Sequence, residues 1–320
     1  LSDFAFVCAD IFDKYTNYRV INQRRIDIHN SAVINLSVYD KISCPALCSC
    51  DNSKLRHESI KIADFVNSSI SRIEFDESFT LPAGNEPIKR IISYSSFASL
   101  NEVKMIKDKA LIKAVVSVNV LYTSDTNEEN IEKAEYSFNV SKIIEAAGIS
   151  DDDFAVSNIS VGSLVVKAKS NGGERVNALD VFGELSISTV FISETDEDLI
   201  TDGYIPNYNT NCTFNEYKVN TAGSFFNESK VINMSFGLPD GISKMYEVNI
   251  QTGNITLKNG KIIIDVLMNA VCENNSGELV GISSGEEIEF SAEGYNQALA
   301  ALNINSYDYT LSDNTLDVRL

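Results

Sequence analysis

The chain has 320 residues, of which 44% are hydrophobic, and its formal net charge at pH 7 is -19. The hydrophobic fraction excludes a mainly disordered chain, and the acidic balance opposes a broad, sequence-independent hold on nucleic acid, because that contact needs Lys and Arg on phosphates. No run of eighteen consecutive apolar residues occurs, so we predict no transmembrane segment. The first residues also lack the basic start of a secretory signal.

Strand signals begin at the N-terminus. Residues 4–14 contain the isolated strand FAFVCADIF, and residues 17–38 read NYRVINQRRIDIHNSAVINLSV, where apolar and polar residues alternate as they do in a half-buried strand. Three of the eight arginines of the chain fall in this second stretch: Arg19, Arg24 and Arg25. In an extended RRIDIH segment, Arg25, Asp27 and His29 share one face and the two isoleucines share the other.

Three interpretations of this basic segment stay open. It could provide charge partners for acidic loops of the same chain, bind an outside anion such as phosphate, or contact the acidic loop of a neighbouring subunit. A catalytic Asp27–His29 dyad is disfavoured, because the chain has no GxSxG, P-loop or HExxH motif. It also has no Trp for a sugar platform. We therefore predict no enzyme, no catalytic residue and no cofactor.

The next feature is the cysteine group CPALCSC. It contains Cys44, Cys48 and Cys50, and Cys212 lies far along the chain. The group lacks paired CxxC motifs, and only His57 is near enough in sequence to add a ligand, so we predict no metal site. The alternatives are plain loop cysteines or thiols that cross-link.

An internal repeat follows. DKALIKAVVSVNVLY, an acidic loop and EYSFNVSKIIEAAG form one copy, and NGKIIIDVLMNAVCE, a polar loop and EIEFSAEGYNQALAAL form another. Lys109 to Phe138 and Lys261 to Phe290 are both 29 residues apart. Each copy predicts a long strand, a polar hairpin tip, a return strand and a short helix. The two short helices are predicted in NVSKIIEAAG and EGYNQALAALN. A weaker third copy pairs NSAVINLSVYDKI with ESIKIADFVNSSI.

Turn and end signals complete the prediction. Asn259-Gly260 predicts a tight hairpin, because both turn positions need positive φ, and residues 171–173 (Asn-Gly-Gly) predict a second. The last strand, in residues 306–320, has no following partner in the sequence, so the third module is expected to be incomplete. The fold class is all-β, with tandem β-sandwich-like modules and short helices. We predict modules at residues 1–84, 85–212 and 213–320.

The segment GYIPNYNTNCTFNEY, residues 203–217, lies at the second junction. It is either a packed linker or a contact surface for neighbouring proteins, since Tyr offers apolar area with a polar tip. On the second interpretation, Tyr204 and Tyr208 are candidate contact residues.

Several of these segments, in order, resemble the SPOCS-module proteins of spore-forming clostridia, whose name joins spore coat with SipL. They are DKYTNYRVINQRRIDIH, EFDESFTLPAGNEPIKRII, EVKMIKDKALIKAVVSVNVLY, YSFNVSKIIEAAGI and DLITDGYIPNY. The resemblance covers most of residues 8–210. Departures include Asn30, where family members often have Gly, and Ile205, where they often have Ser. Nothing in the chain resembles the C-terminal LysM module that many members carry.

The resemblance implies a non-enzymatic structural role in the spore envelope. The protein would be made in the mother-cell cytoplasm and would end in the spore coat or on the spore surface. Expected partners are other spore-envelope proteins or copies of itself. One alternative is a filament or appendage subunit, in which residues 4–14 complete the third module of the next molecule by strand addition. Another is a cell-wall or carbohydrate-binding module.

Overall fold

The computed structural model describes residues 5–22, 24–40, 46–126, 131–170, 175–219, 229–295, 300–312 and 314–320. These residues form strands, turns and extended segments, and none of them is helical. The all-β prediction is confirmed. The strands, in chain order, are β1 Phe6–Asn22, β2 Arg25–Tyr39, β3 Lys54–Thr80, β4 Ile88–Ile106, β5 Lys109–Ser124, β6 Ile131–Glu145, β7 Phe154–Lys169, β8 Ala178–Tyr204, β9 Asn233–Gly237, β10 Ile242–Lys258, β11 Lys261–Asn274, β12 Leu279–Ser291, β13 Asp308–Ser312 and β14 Thr315–Arg319.

The helix predicted in NVSKIIEAAG is wrong. Strand β6 continues through Ile143, which is exposed, and Ile144, which is buried, so the period of this stretch is two residues and not 3.6. The strand is followed by a turn in which Gly148 has φ +90° and its N–H donates to Asp108 Oδ1 at 2.8 Å. The second predicted helix, EGYNQALAALN, lies partly outside the described residues, and residues 300–307 are not helical.

A first sandwich is formed by strands β3 to β8. One sheet has the order β3-β8-β7 and the other β4-β5-β6, and all neighbours are antiparallel. Valines 116, 118 and 120 of β5 pack in one buried cluster with Leu179, Val181 and Leu185 of β8. Strand β5 is central in its sheet, and its even-numbered residues from Ala110 to Tyr122 are at most 1% exposed. Their alternation follows from the pleat, which sends successive side chains to opposite faces.

The β3–β8 pairing joins distant parts of the sequence. Its register runs from Lys54 opposite Tyr204 to Thr80 opposite Ala178, so one sheet contains strands from both sides of residue 84. The division of the chain at residues 84 and 212 stays a prediction.

A second sandwich is formed by strands β9 to β14, and it repeats the topology of the first. Its sheets have the orders β10-β11-β12 and β9-β14-β13. In both sandwiches the second, third and fourth strands form one sheet, and the last strand lies between the first and the fifth in the other. Phe236, Met268 and Leu316 are fully buried in its core. The internal repeat of long strand, tip and return strand therefore has a structural counterpart.

The tight turn predicted at Asn259-Gly260 is confirmed. Lys258 pairs with Lys261, and the two turn residues have φ values of 53° and 71°, as a type I′ turn requires. The residues 171–173 lie outside the described residues, but Lys169 pairs with Ala178 on either side of them.

The repeated spacing of 29 residues does not mark equivalent positions. Phe138 lies opposite Val116, near the middle of the β5–β6 pair. Phe290 lies opposite Ile262, near the start of β11 and the end of β12. The prediction of a weaker third copy of the repeat is also wrong. Its two halves lie in β2 and β3, which pair with β1 and β8 and belong to different sheets.

Both chain ends differ from the expectation that they lack partners. Strand β1 pairs along its length with β2. Strand β14 is central in its sheet and pairs with β9 on one side and β13 on the other. The two sandwiches contact each other where Phe97 of β4 packs against the second core, with its ring 6.0 Å from that of Tyr307. No helical segment in the described part of the chain has the length and hydropathy to cross a bilayer.

We expect Gly183→Ala to destabilise the first sandwich. A Cβ at this position would lie 2.5 Å from the Ser163 carbonyl oxygen and closer still to the Phe75 ring. Overpacking of this kind costs about 1–3 kcal/mol of unfolding free energy. The measurement is urea unfolding followed by tyrosine fluorescence.

Gly281→Ala is the matched control, because a Cβ there meets no atom within 4 Å and its strand position also lacks a positive φ. We expect a change within about 0.5 kcal/mol for this variant. Equal effects of the two substitutions would contradict the packing described around Gly183.

Candidate interaction surface

The N-terminal hairpin of β1 and β2, here called the ribbon, is a two-stranded element outside both sandwiches. Strand β1 has 17 residues, which gives a length of roughly 55 Å. At the turn, Asn22 Oδ1 accepts a hydrogen bond from the Arg24 N–H at 2.9 Å. The register shifts between Asp13 and Tyr15 and again near the tip, as β-bulges in β1 do.

One face of the ribbon packs on the rest of the chain. Phe6 lies opposite Tyr39, and both rings stack with Phe65 of β3, at 6.4 and 5.8 Å between centroids. On the same face of β2, the Asn35 side-chain N–H donates to Asn254 Oδ1 of β10 at 2.5 Å. The ribbon is therefore attached to both sandwiches.

The opposite face of the ribbon is apolar and exposed. On β2, every even-numbered residue from Ile26 to Val38 is exposed, and every partly buried residue is odd-numbered. Ile28 is 68% exposed and Leu36 67%. We call the large side chains of this surface the apolar face. Its members are Val7, Ile11, Ile26, Ile28, Ile34, Leu36 and Val38.

The burial of β2 is thus the reverse of what alternation alone suggests. The apolar side of a half-buried strand was expected to face the core, but Ile26 and Ile28 face solvent, and Asp27 on the other side is partly buried. The covered face instead includes Ser31, Asn35 and Tyr39. Hydrophobic burial favours covering the aliphatic side of a strand over a mixed one, and the ribbon departs from that rule.

The basic residues lie toward the tip of the ribbon. Arg19 lies opposite Asp27 in the register, and Arg25 Nε donates to Asp27 Oδ1 at 2.9 Å. The side chains of this pair are 67% and 36% exposed, so the interaction is screened by water and contributes little stability. Arg19, Arg24 and His29 are exposed. Asp27 is thus paired with an arginine, and the basic groups are presented to the surroundings.

The tyrosine and cysteine candidates meet at one end of the first sandwich. Tyr204 ends β8 opposite Lys54, which begins β3, and Tyr204 and Tyr208 are 59% and 77% exposed. Cys212 Sγ donates to the Gly203 carbonyl at 3.3 Å. Cys48 and Cys50 lie just before β3 and are exposed, as is Cys212. Cys44 lies outside the described residues.

The β3–β8 register is what brings the two cysteine segments to the same end of the molecule. Among the described residues, no three His, Cys, Asp or Glu side chains are placed to hold a metal ion. His57 instead lies with Nδ1 2.9 Å from Asp198 Oδ2.

One open depression on the first sandwich gathers charged side chains. It is lined by Lys61, Asp153, Glu194 and Asp196 among others. Lys61 Nζ lies 2.8 Å from Glu194 Oε1, and the hydrogen bond to Glu194 raises the pKa of the Lys61 ammonium. The cation is therefore already paired by its own chain.

Sequence reasoning named the polar side of the RRIDIH strand and missed the aliphatic side. The signal was present, because Ile34, Leu36 and Val38 continue the alternation begun by Ile26 and Ile28. Alternation shows that two faces differ, but it does not show which one the rest of the chain covers.

We expect Cys48, Cys50 and Cys212 to react readily with iodoacetamide in the native protein, whereas Cys272 does not. Cys272 is fully buried, and burial raises the pKa of its thiol, so alkylation should be at least ~100-fold slower and should require local opening. Peptide mass spectrometry after timed labelling gives the four rates separately. Labelling in urea is the control, and fast native labelling of Cys272 would contradict the core of the second sandwich.

A comparison with protein families matches residues 87–169 to the family described as SipL, SPOCS domain. The matched range contains the whole β4-β5-β6 sheet and also β7 of the opposite sheet. No curated protein matches the chain, and no solved structure does. The match indicates a sporulation-related protein. The resemblance to SPOCS-module proteins is therefore confirmed, and residues 87–169 are the part of the chain that matches this family.

Proposed function

We propose that this protein is a structural component of the spore envelope that acts through protein–protein contacts and catalyses no reaction. The match to the SipL SPOCS domain supports a role in sporulation. The observation that carries the contact function is the exposed apolar face of the ribbon, because a surface row of seven large aliphatic side chains marks an interaction site.

Covering the apolar face with a partner is favourable in free energy. Covering a half-exposed Ile, Leu or Val removes apolar surface from water, at about 25 cal/mol per Å². When the apolar face is uncovered, this favourable free energy is lost at each of its side chains. The ribbon is already paired and attached through Phe6, Tyr39 and Phe65, so a partner meets a formed surface and has less ordering entropy to overcome.

The charge distribution supports a protein partner as well. Residues 6–39 hold four basic and three acidic side chains, a net charge of +1, whereas the whole chain carries -19. The exposed Arg19 and Arg24 at the tip are suited to carboxylates on a neighbouring envelope protein or on another copy of this chain. Such contacts speed encounter and set orientation more than they add affinity.

The exposed cysteines and tyrosines give a second contact region on the same molecule. Cys48, Cys50, Cys212, Tyr204 and Tyr208 lie at the end where β3 begins and β8 ends. On this proposal the region contacts or becomes cross-linked to neighbouring proteins, while the ribbon provides the main apolar contact. Cross-linking through the thiols needs an oxidant or a partner disulfide.

The filament alternative changes in form. Strand addition by residues 4–14 would require β1 to leave β2, and β14 already has neighbours on both sides. While β1 stays paired with β2, a filament of this protein joins through side-chain surfaces such as the ribbon.

The proposal predicts that the protein, fused to a fluorescent protein at its native locus, appears in the mother cell only during sporulation and collects around the developing spore. The physical reason is that multiple surface contacts hold it on the assembling envelope. Fluorescence microscopy through sporulation, with extraction of purified spores, makes the measurement.

Free fluorescent protein from the same promoter is the control, and it should stay diffuse in the mother cell. Diffuse distribution of the fusion as well, or expression confined to vegetative growth, would overturn the proposed function.

A further inference from the structure

We infer that the apolar face of the ribbon is a homotypic interface, on which two copies of this chain pack their ribbons face to face about a two-fold axis. The inference rests on the proposed contact function and names the partner of that surface as a second copy. Its first support is the reversed burial of β2, in which Ile26, Ile28 and Ile34 face outward while the mixed side faces the chain.

The β2 half of this face has no charge to select a different kind of partner. The even-numbered residues of β2 are Ile26, Ile28, Asn30, Ala32, Ile34, Leu36 and Val38. None of them is ionisable, and Val38, Leu36 and Ile34 lie opposite Val7, Ala9 and Ile11 in β1. The row of uncharged, mainly aliphatic side chains along β2 matches the same row on a second copy, as an isologous two-fold contact requires.

The area is sufficient for such a contact. The seven large side chains of the apolar face are each between 44% and 68% exposed, so together they present on the order of 400 Å² of apolar surface. Two facing ribbons, with Ala9, Ala32 and the main chain between them, bury about 1,000 Å² in total, which reaches the lower limit for a specific interface. We therefore expect a reversible dimer.

Charge opposes association through this surface less than association through the acidic remainder of the chain. The ribbon carries a net charge of +1, and the rest of the chain carries -20. Two copies that approach through their acidic surfaces repel each other strongly, whereas two that approach through the ribbons bring together segments of net charge only +1 each. The other face of the ribbon is held by Phe65 and Asn254, so the apolar face points away from the sandwiches.

The test is sedimentation velocity of the full chain over a range of concentrations, in reductant so that no disulfide contributes. We expect a reversible monomer–dimer equilibrium for the wild type. Ile34→Asp should raise the dissociation constant at least ~30-fold, because each dimer then places two carboxylates in an apolar contact. The matched control is Ile143→Asp on β6, since Ile143 and Ile34 are 60% and 61% exposed.

Ile34→Thr is a second variant that keeps a β-branched residue in the strand and so protects the ribbon itself. It should weaken the dimer less than Ile34→Asp and more than Ile143→Asp, with unchanged circular dichroism. High salt should leave the wild-type dimer intact or strengthen it, because the contact is apolar.

A wild-type chain that stays monomeric at every concentration would overturn the homotypic inference, and so would equal effects of Ile34→Asp and Ile143→Asp. A dimer that salt dissolves would also overturn it, because that behaviour belongs to the basic tip on an acidic surface. None of these results bears on the localisation of the protein during sporulation, so failure of this inference and failure of the proposed function are distinguishable.

Discussion

Strands β5 and β11 each send consecutive alternate residues into the interior, and both sandwiches depend on the opposite sheet covering those residues. In β5 the row is Ala110 to Tyr122, and in β11 it is Ile264 to Cys272, with every member at most 4% exposed. A strand flanked on both sides satisfies its backbone hydrogen bonds within the sheet. The remaining requirement is that one face of the strand be buried. Strands β8 and β14, each central in its own sheet, pack against that face.

The same constraint explains which features of the fold the sequence predicted. Period-two alternation indicated strands throughout, and Asn259-Gly260 fixed the β10–β11 hairpin, because both depend on neighbours in sequence. The pairing of β3 with β8 depends on residues more than a hundred positions apart, such as Lys54 and Tyr204. Many strands of similar pattern could have been that partner, and local pattern does not choose among them. The short helix predicted in NVSKIIEAAG failed for a related reason, since tertiary pairing with β5 overrode a helical pattern of only two turns.

The candidate surfaces divide in the same way. The sequence identified the arginines of the RRIDIH segment and placed Arg25 and Asp27 on one face, which is the geometry of their ion pair. It did not identify Ile34 and Leu36 as surface residues, because exposure is a property of the assembled chain. Likewise, the nearness of Cys212 to the segment of Cys48 and Cys50 follows from the register of β3 and β8, which only the structure provides.

A two-stranded ribbon by itself is marginally stable in water, because it buries too little apolar surface to offset its loss of conformational entropy. Here the stack of Phe6, Tyr39 and Phe65 supports the base of the ribbon, while Ile26 and Ile28 near the tip stay 59% and 68% exposed. Any partner that covers the apolar face binds the folded ribbon and not the unfolded one, so it stabilises the ribbon by mass action. Partner binding to the apolar face and folding of the ribbon are therefore thermodynamically linked. Because the cores of the two sandwiches are formed by other strands, exposure of the apolar face weakens neither core.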